Sequence, residues 1–281
     1  MRHGAVTALA LILAAGGFAC SDYAISAEKA QVDPPDEEEP VVDDDSGDPG
    51  EDSGDTGGTG TDGGTVEVPA TEPIYINEGA TLWSWDPEGE LTSVGTFSSV
   101  ERMTDIAISP DGQLWGCTFD ALYTIDPETA ATTWVADLDE TLHGLTFISD
   151  GRMVGAGDGV WIINPELGEI SDTLVQPGEY STSGDIVGLP DGLLYWTIWG
   201  SDYGEPDRLA VVDPDGGMAV RGEVEVDRVF GLGFAYGDLY GFTDAGDWVE
   251  INADLGGLRR QGPLPGNDGW WGATTNPVRW D

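Results

Sequence analysis

One turn is written five times along this 281-residue chain. It reads DPEGE from Asp86, DPETA from Asp126, NPELG from Asn164, DPDGG from Asp213 and NADLG from Asn252. Successive copies are 40, 38, 49 and 39 residues apart. A period near 40 residues is the mark of a repeat architecture, in which each unit buries its apolar face against its neighbours. The segments between the turns are short, rich in β-branched and aromatic residues, and bounded by turn residues, so each reads as a strand. Four such strands per repeat predict the blades of a β-propeller.

The best-formed unit is MTDIAISPDG, QLWGCTFD, ALYTIDPET and AATTWVADL, giving strands a, b, c and d. Strand a recurs as HGLTFISDG, GDIVGLPDG, VFGLGFAYG and WWGATTNP. The Asp-Gly pairs at Asp111, Asp150 and Asp191 favour tight a–b hairpins, because glycine accepts positive φ. The Asp-Pro and Asn-Pro steps open the c–d turns with φ preset by proline. The first repeat begins at strand b, with IYINEG, and the last fragment, GWWGATTNP, is a lone strand a. Together they make one blade. The fold expected over residues 74–281 is therefore all-β, a five-bladed propeller closed by its C-terminal strand, which leaves no open edge at the seam. A sixth blade would need a sixth c–d turn, and the chain has none. The paired Trp270 and Trp271 are expected to seal the closure.

The units SPDGQLWG and LYTIDPETAATTWV resemble the broad NHL and SMP-30-like propeller superfamily. The resemblance covers residues 74–281 and implies a fold. SMP-30-like enzymes hold a divalent metal on carboxylate and amide side chains in the channel. Asp105 and Asp185 stand at suitable places here, and the remaining ligands have no counterpart. The resemblance thus implies calcium or another divalent metal only as a possibility, with a metal-dependent hydrolase or lactonase as the alternative function.

The segment before the repeats carries an address. MRHG is followed by the apolar run AVTALALILAAGG, too short to span a bilayer and suited to a signal peptide over residues 1–19. The run ends at GFAC, then SDY. This resembles the lipobox of bacterial lipoproteins, which implies a lipidated Cys20 as the mature first residue. Ser21 after it resembles the outer-membrane sorting pattern, so the cell envelope is the expected location. Ordinary cleavage after Ala19, giving a secreted or periplasmic protein, is the other reading. Residues 20–73 are expected to be a disordered linker, since residues 21–73 hold 17 acidic residues and a single lysine, with almost nothing to bury. Like charges extend such a chain beyond the roughly 40 Å of a neutral coil, taking about 5–6 Å times the square root of its length. Its Asp-rich DDDSGDPGEDSGD lacks the twelve-residue loop and closing glutamate of an EF-hand.

The formal charge of −43, with 10 Lys or Arg against 53 Asp or Glu, excludes nucleic acid and anionic lipid as partner surfaces. Membrane contact is expected through the lipid alone. All 11 tryptophans fall between Trp83 and Trp280, so the repeats can bury a large core. Cys117 is the only cysteine besides Cys20 and reads as a small buried apolar residue rather than a disulfide partner.

Propeller geometry places the starts of strands a and the b–c loops on one face, termed the top. Asp105, His143, Asp185, Phe230 and Trp271 stand at or near the starts of strands a. The single long spacing, 49 residues, puts its extra residues in WGSDYGEPD, a b–c loop on the same face. Two arrangements fit. In one, Trp199 and Tyr203 form a stacking platform beside Asp105, His143, Asp185 and Trp271, suited to a sugar or a peptide. In the other, Trp199 packs between blades, and Asp105 and Asp185 bond backbone amides at strand ends. His143 is the sole histidine outside the signal, which excludes a multi-histidine zinc site and favours a hydrogen-bonded channel residue. Asp105, Asp185 and nearby Glu101 can be drawn as a glycosidase pair, but no spacing supports it. The expected function is binding of an extracytoplasmic protein, peptide or glycan through the top face.

Overall fold

The computed structural model describes residues 73–200, 204–265 and 269–278. The signal-like segment, Cys20, the acidic stretch to residue 72, Asp202 and Tyr203 lie outside the described residues. Within them the chain is all-β, with twenty strands in five four-stranded sheets.

The first blade holds β1 (Ile74–Glu78), β2 (Thr81–Trp85) and β3 (Leu91–Thr96). The second is β4 (Asp105–Ile108), β5 (Leu114–Cys117), β6 (Ala121–Ile125) and β7 (Thr132–Asp137). The third is β8 (Gly144–Phe147), β9 (Met153–Ala156), β10 (Val160–Ile163) and β11 (Ile170–Val175). The fourth is β12 (Thr182–Gly188), β13 (Leu194–Ile198), β14 (Arg208–Asp213) and β15 (Gly217–Glu223). The fifth is β16 (Val229–Ala235), β17 (Asp238–Thr243), β18 (Asp247–Ile251) and β19 (Leu258–Pro263). The last strand, β20 (Gly272–Thr274), returns to pair antiparallel with β1, Ile76 opposite Ala273. The closing sheet therefore runs β20-β1-β2-β3, as the repeat register requires.

The repeated turn has a local cause. In all five copies the Asx side chain accepts the backbone N–H two residues on, from Glu88, Glu128, Glu166, Asp215 and Asp254, at 2.8–3.0 Å. This Asx-turn fixes the c–d reversal without help from the rest of the fold. The a–b hairpins turn on glycine: Gly112, Gly151 and Gly192 have φ of 90°, 95° and 82°.

The core is not one body but five, each wedged between adjacent blades. Trp196, Ile186 and Val212 of the fourth blade pack on Val154, Val160 and Ile162 of the third, and the other four interfaces repeat the plan. Both faces of strands a to c are thus buried or half-buried, while the d strands at the rim alternate with solvent. The inner strands touch in the ring order β20, β4, β8, β12, β16 and back to β20.

The two closing tryptophans divide their work. Trp270 is fully buried in the seam between the fifth and first blades, edge-on to Trp83 with centroids 6.2 Å apart. Trp271 faces the channel mouth, and its backbone N–H donates to the Asn77 carbonyl of β1. Removing residues 269–281 takes away both the innermost strand and this wedge. Trp270→Ala should cost about 3–5 kcal/mol, and the truncated chain should lose its cooperative thermal transition. A truncated chain melting within a few degrees of the full one would contradict the closure.

Candidate functional site

The edge of every inner strand that faces the axis carries unpaired backbone amides. Ser109, Ile148 and Leu189 direct their N–H groups to strand b, so alternation turns those of Ile106, Leu145 and Ile186 inward. Leu232 and Ala273 occupy the equivalent positions in β16 and β20. Left alone in a narrow channel, these five donors would be costly.

Two carboxyl groups take four of them and face the fifth. Asp105 accepts from Ile106 at 2.7 Å and from Leu145 of the next blade at 2.5 Å. Asp185 accepts from Ile186 at 2.5 Å and from Leu232 of the next blade, and lies against the Ala273 amide. The two side chains also hydrogen-bond to each other, and neither is exposed to solvent. A tier below, threonine hydroxyls repeat the device: Thr274 accepts from Ile108, Thr146 from Gly188 and Thr275 from Phe234. Burial pushes both carboxyls up, with mutual repulsion adding to it at Asp105. Asp105 is held well above the usual carboxylate range, and Asp185 is raised to about 8, with the hydrogen bonds from Asp105 and the amides opposing. The pair therefore retains protons in the folded chain.

Above this plug the channel opens into a cavity of about 260 Å³. Its aromatic wall is Phe119, His143, Trp199, Phe230 and Trp271, drawn from all five blades. Thr104, Thr182 and Ser183 add hydroxyls. Phe119 and His143 meet edge-on with centroids 5.1 Å apart, and Phe230 lies 6.5 Å from Trp271. The Arg102 guanidinium stacks on the Trp271 ring, 4.4 Å from its centroid. Burial lowers the His143 pKa, and the Asp158 carboxylate partly opposes this. Asp207 stands behind the wall. It is buried and accepts from the Ser183 hydroxyl at 2.6 Å and from Val229 N–H at 2.7 Å. Burial raises its pKa to about 6 against those bonds.

The sequence-derived residues thus separate into two levels. His143, Trp199 and Trp271 share the cavity wall. Asp105 and Asp185 lie beneath it and are sealed, bonding backbone amides at strand ends. Trp199 is half-buried at the start of the nine-residue loop 199–207, where the other b–c loops have two or three residues. Its carbonyl accepts from the Arg208 guanidinium at 3.1 and 3.3 Å, which anchors the loop. Tyr203 lies outside the described residues, and Glu101 is exposed. Phe119, Thr104, Ser183 and Asp207 are site residues that the sequence did not single out. Phe119 lies in a three-residue loop of ordinary length; only its place in the b–c position of the repeat points to the top face. Cys117 is buried and unpaired, its thiol pushed up to about 12 by burial.

The donor set does not fit a metal. Every oxygen of Asp105 and Asp185 already accepts a backbone N–H, and neither side chain is exposed to solvent. Among the described residues no third His, Cys, Asp or Glu joins them in a metal-binding group. The same sealing removes them as a glycosidase pair, which must reach its substrate.

No protein-family model matches the chain, and no curated protein does. Among solved structures, a chain of a nidogen/laminin complex superposes with a TM-score of 0.51 at 11% identity, covering 72% of this chain and 97% of that one. This likeness shows the propeller fold alone. A gluconolactonase from Xanthomonas campestris (TM-score 0.43, 13% identity, 70% of this chain and 73% of that one) aligns more loosely. So does virginiamycin B lyase from Staphylococcus aureus (TM-score 0.41, 14% identity, 70% of each chain). These neighbours are propellers with different activities, and neither carries an argument about the chemistry of this chain.

The plug gives a signed pH dependence. The folded pair keeps protons that the unfolded chain, with aspartates near 3.9, releases. Its contribution to stability is therefore largest below about pH 4 and falls as pH rises toward 8, where Asp185 ionises. In denaturant titrations from pH 4.5 to 9, Asp105→Asn should flatten this slope relative to the parent. Asp105→Ala should cost about 2–5 kcal/mol, since it leaves the buried amides of Ile106 and Leu145 without a partner, at about 1–3 each. An unchanged slope in Asp105→Asn would contradict the shared-proton assignment.

Proposed function

We propose that this chain is a ligand-binding propeller of the bacterial cell envelope, held by lipid on Cys20 and an acidic spacer, with its binding site in the aromatic cavity on the top face. The observation that carries the reading is the cavity itself: five aromatic side chains, one from each blade, converge at the mouth of a channel plugged below. Loops and strand ends that vary over a rigid ring are where recognition is commonly placed. A mostly apolar concavity with a few polar groups is the usual form of a small-ligand site. Binding rather than catalysis follows from the plug, because the carboxyls that hydrolysis would need are spent on backbone amides. The hydrolase or lactonase alternative has no supporting geometry. The ligand is an extracytoplasmic glycan, peptide or protein segment, and Tyr203 and Asp202 in the lengthened loop are its expected outer contacts.

Two experiments test the reading. Full-length chain carrying Cys20→Ala should leave the detergent phase for the soluble envelope or secreted fraction; unchanged partitioning would remove the anchor. The same soluble chain, screened on glycan and peptide arrays, should give hits whose affinity falls about tenfold or more in Phe119→Ala and Trp199→Ala. Phe119 is 42% exposed, so its truncation should leave the melting temperature nearly unchanged. Hits indifferent to both substitutions would place the ligand elsewhere.

A further inference from the structure

Resting on that reading, we propose that the cavity recognises a small organic cation, a quaternary or alkylated ammonium group, held on the faces of its aromatic wall.

The hydroxyl groups of the cavity offer a ligand acceptors and no donors. Its three hydroxyl groups have already spent their protons. Thr104 donates to the Cys117 carbonyl at 2.9 Å, Thr182 to the Thr197 carbonyl at 3.4 Å, and Ser183 to Asp207. What they offer a ligand is lone pairs. A sugar with several hydroxyls needs donors as well as acceptors, and the side-chain donors here are the ring-edge N–H groups of His143, Trp199 and Trp271 and the Arg102 guanidinium. An alkylated ammonium group needs neither. It is held by the negative faces of aromatic rings, most strongly tryptophan, within about 6 Å of the centroid.

Charge favours the same class. Residues 73–281 carry 36 Asp or Glu against 8 Arg and no Lys, so the domain attracts cations from solution. Close to the wall stands Asp207, a buried carboxyl group that bonds Ser183 and Val229. A buried carboxylate there favours positive charge nearby. The protein already seats a cation of its own at the mouth: Arg102 lies on Trp271, and no carboxylate pairs with it among the described residues. The guanidinium occupies the kind of seat the ligand would use. About 260 Å³ is just under the usual range for drug-sized ligands, roughly 300–1,000 Å³, and suits a compact group.

The test is a titration of the full chain, followed by tryptophan fluorescence and calorimetry, with choline and with 3,3-dimethylbutan-1-ol, its uncharged isostere. Choline should bind saturably and the isostere at least about tenfold more weakly. Phe119→Ala should weaken choline binding by a similar factor without lowering the melting temperature. Arg102→Ala, which removes a competing cation, should tighten it about two- to fivefold. Equal affinity for the isostere, weaker choline binding in Arg102→Ala, or no saturable response to choline would each overturn the inference. The broader reading fails differently, through array ligands that ignore Phe119→Ala and Trp199→Ala; array ligands that need those residues while choline does not bind would sink the cation alone.

Discussion

A ring of inner strands has an edge problem at its centre. Strand a of each blade pairs outward with strand b, and its other edge meets only the axis. Five amides at one level point into a channel too narrow for ordinary hydration, and the chain answers them with two carboxyl groups. Each of the two acids clamps its own strand and the strand of the following blade, so that the bonds from Asp105 to Leu145 and from Asp185 to Leu232 run around the ring. The remaining amide, of Ala273, belongs to the strand that closes it. Two acids cannot both fill the axis unless the other positions are empty. The equivalent residues are Gly144, Gly231 and Gly272, and a β-carbon at Gly272 would fall 2.1 Å from Asp105 Oδ1. Charge repulsion at such close quarters is relieved by the retained proton, at the cost of a pair that weakens as the solution becomes alkaline.

That plug decides where function can lie. A propeller with an open channel can bring carboxylates to a metal or a substrate along its axis. Here the axis is used structurally, and what remains accessible is the mouth above it. The mouth is built by the residue just before each plug position: Thr104, His143, Gly184, Phe230 and Trp271. Large rings at three of these, with Phe119 and Trp199 from two b–c loops, narrow the opening to a cavity. Asp207 extends the logic of the plug to the cavity wall, using one oxygen to hold Ser183 and Val229. Negative charge is thereby placed behind an apolar surface instead of on it.

The architecture was legible because its signals are local. Asx-turns depend on one side chain and the next two amides, and glycine hairpins on one φ angle, so both are written where they act. Closure was legible too, since a repeat that starts at strand b and ends at strand a leaves one arithmetic solution. The site was legible only in outline. Position within the repeat puts His143, Trp199 and Trp271 at the mouth, but the role of Asp105 rests on an amide 40 residues away and that of Asp185 on one 47 residues away. No window of sequence contains such a pair. The alternation of Asp and Gly at one repeat position, read down the repeats at 105, 144, 185, 231 and 272, was the available clue to a shared axial space. Phe119 and Asp207 carried no comparable signal, because neither departs from what an ordinary loop or strand end contains.

The claim on which the rest stands is that Asp105 and Asp185 seal the channel by holding the inward amides. Native-state hydrogen exchange, resolved residue by residue, reads it directly. Ile106, Leu145, Ile186, Leu232 and Ala273 should exchange only with global unfolding, as slowly as amides paired between strands, although no strand faces them. Exchange of these five at the rate of solvent-open edge amides would contradict the plug, reopen the channel to metal and substrate, and return the two aspartates to the list of groups available for chemistry.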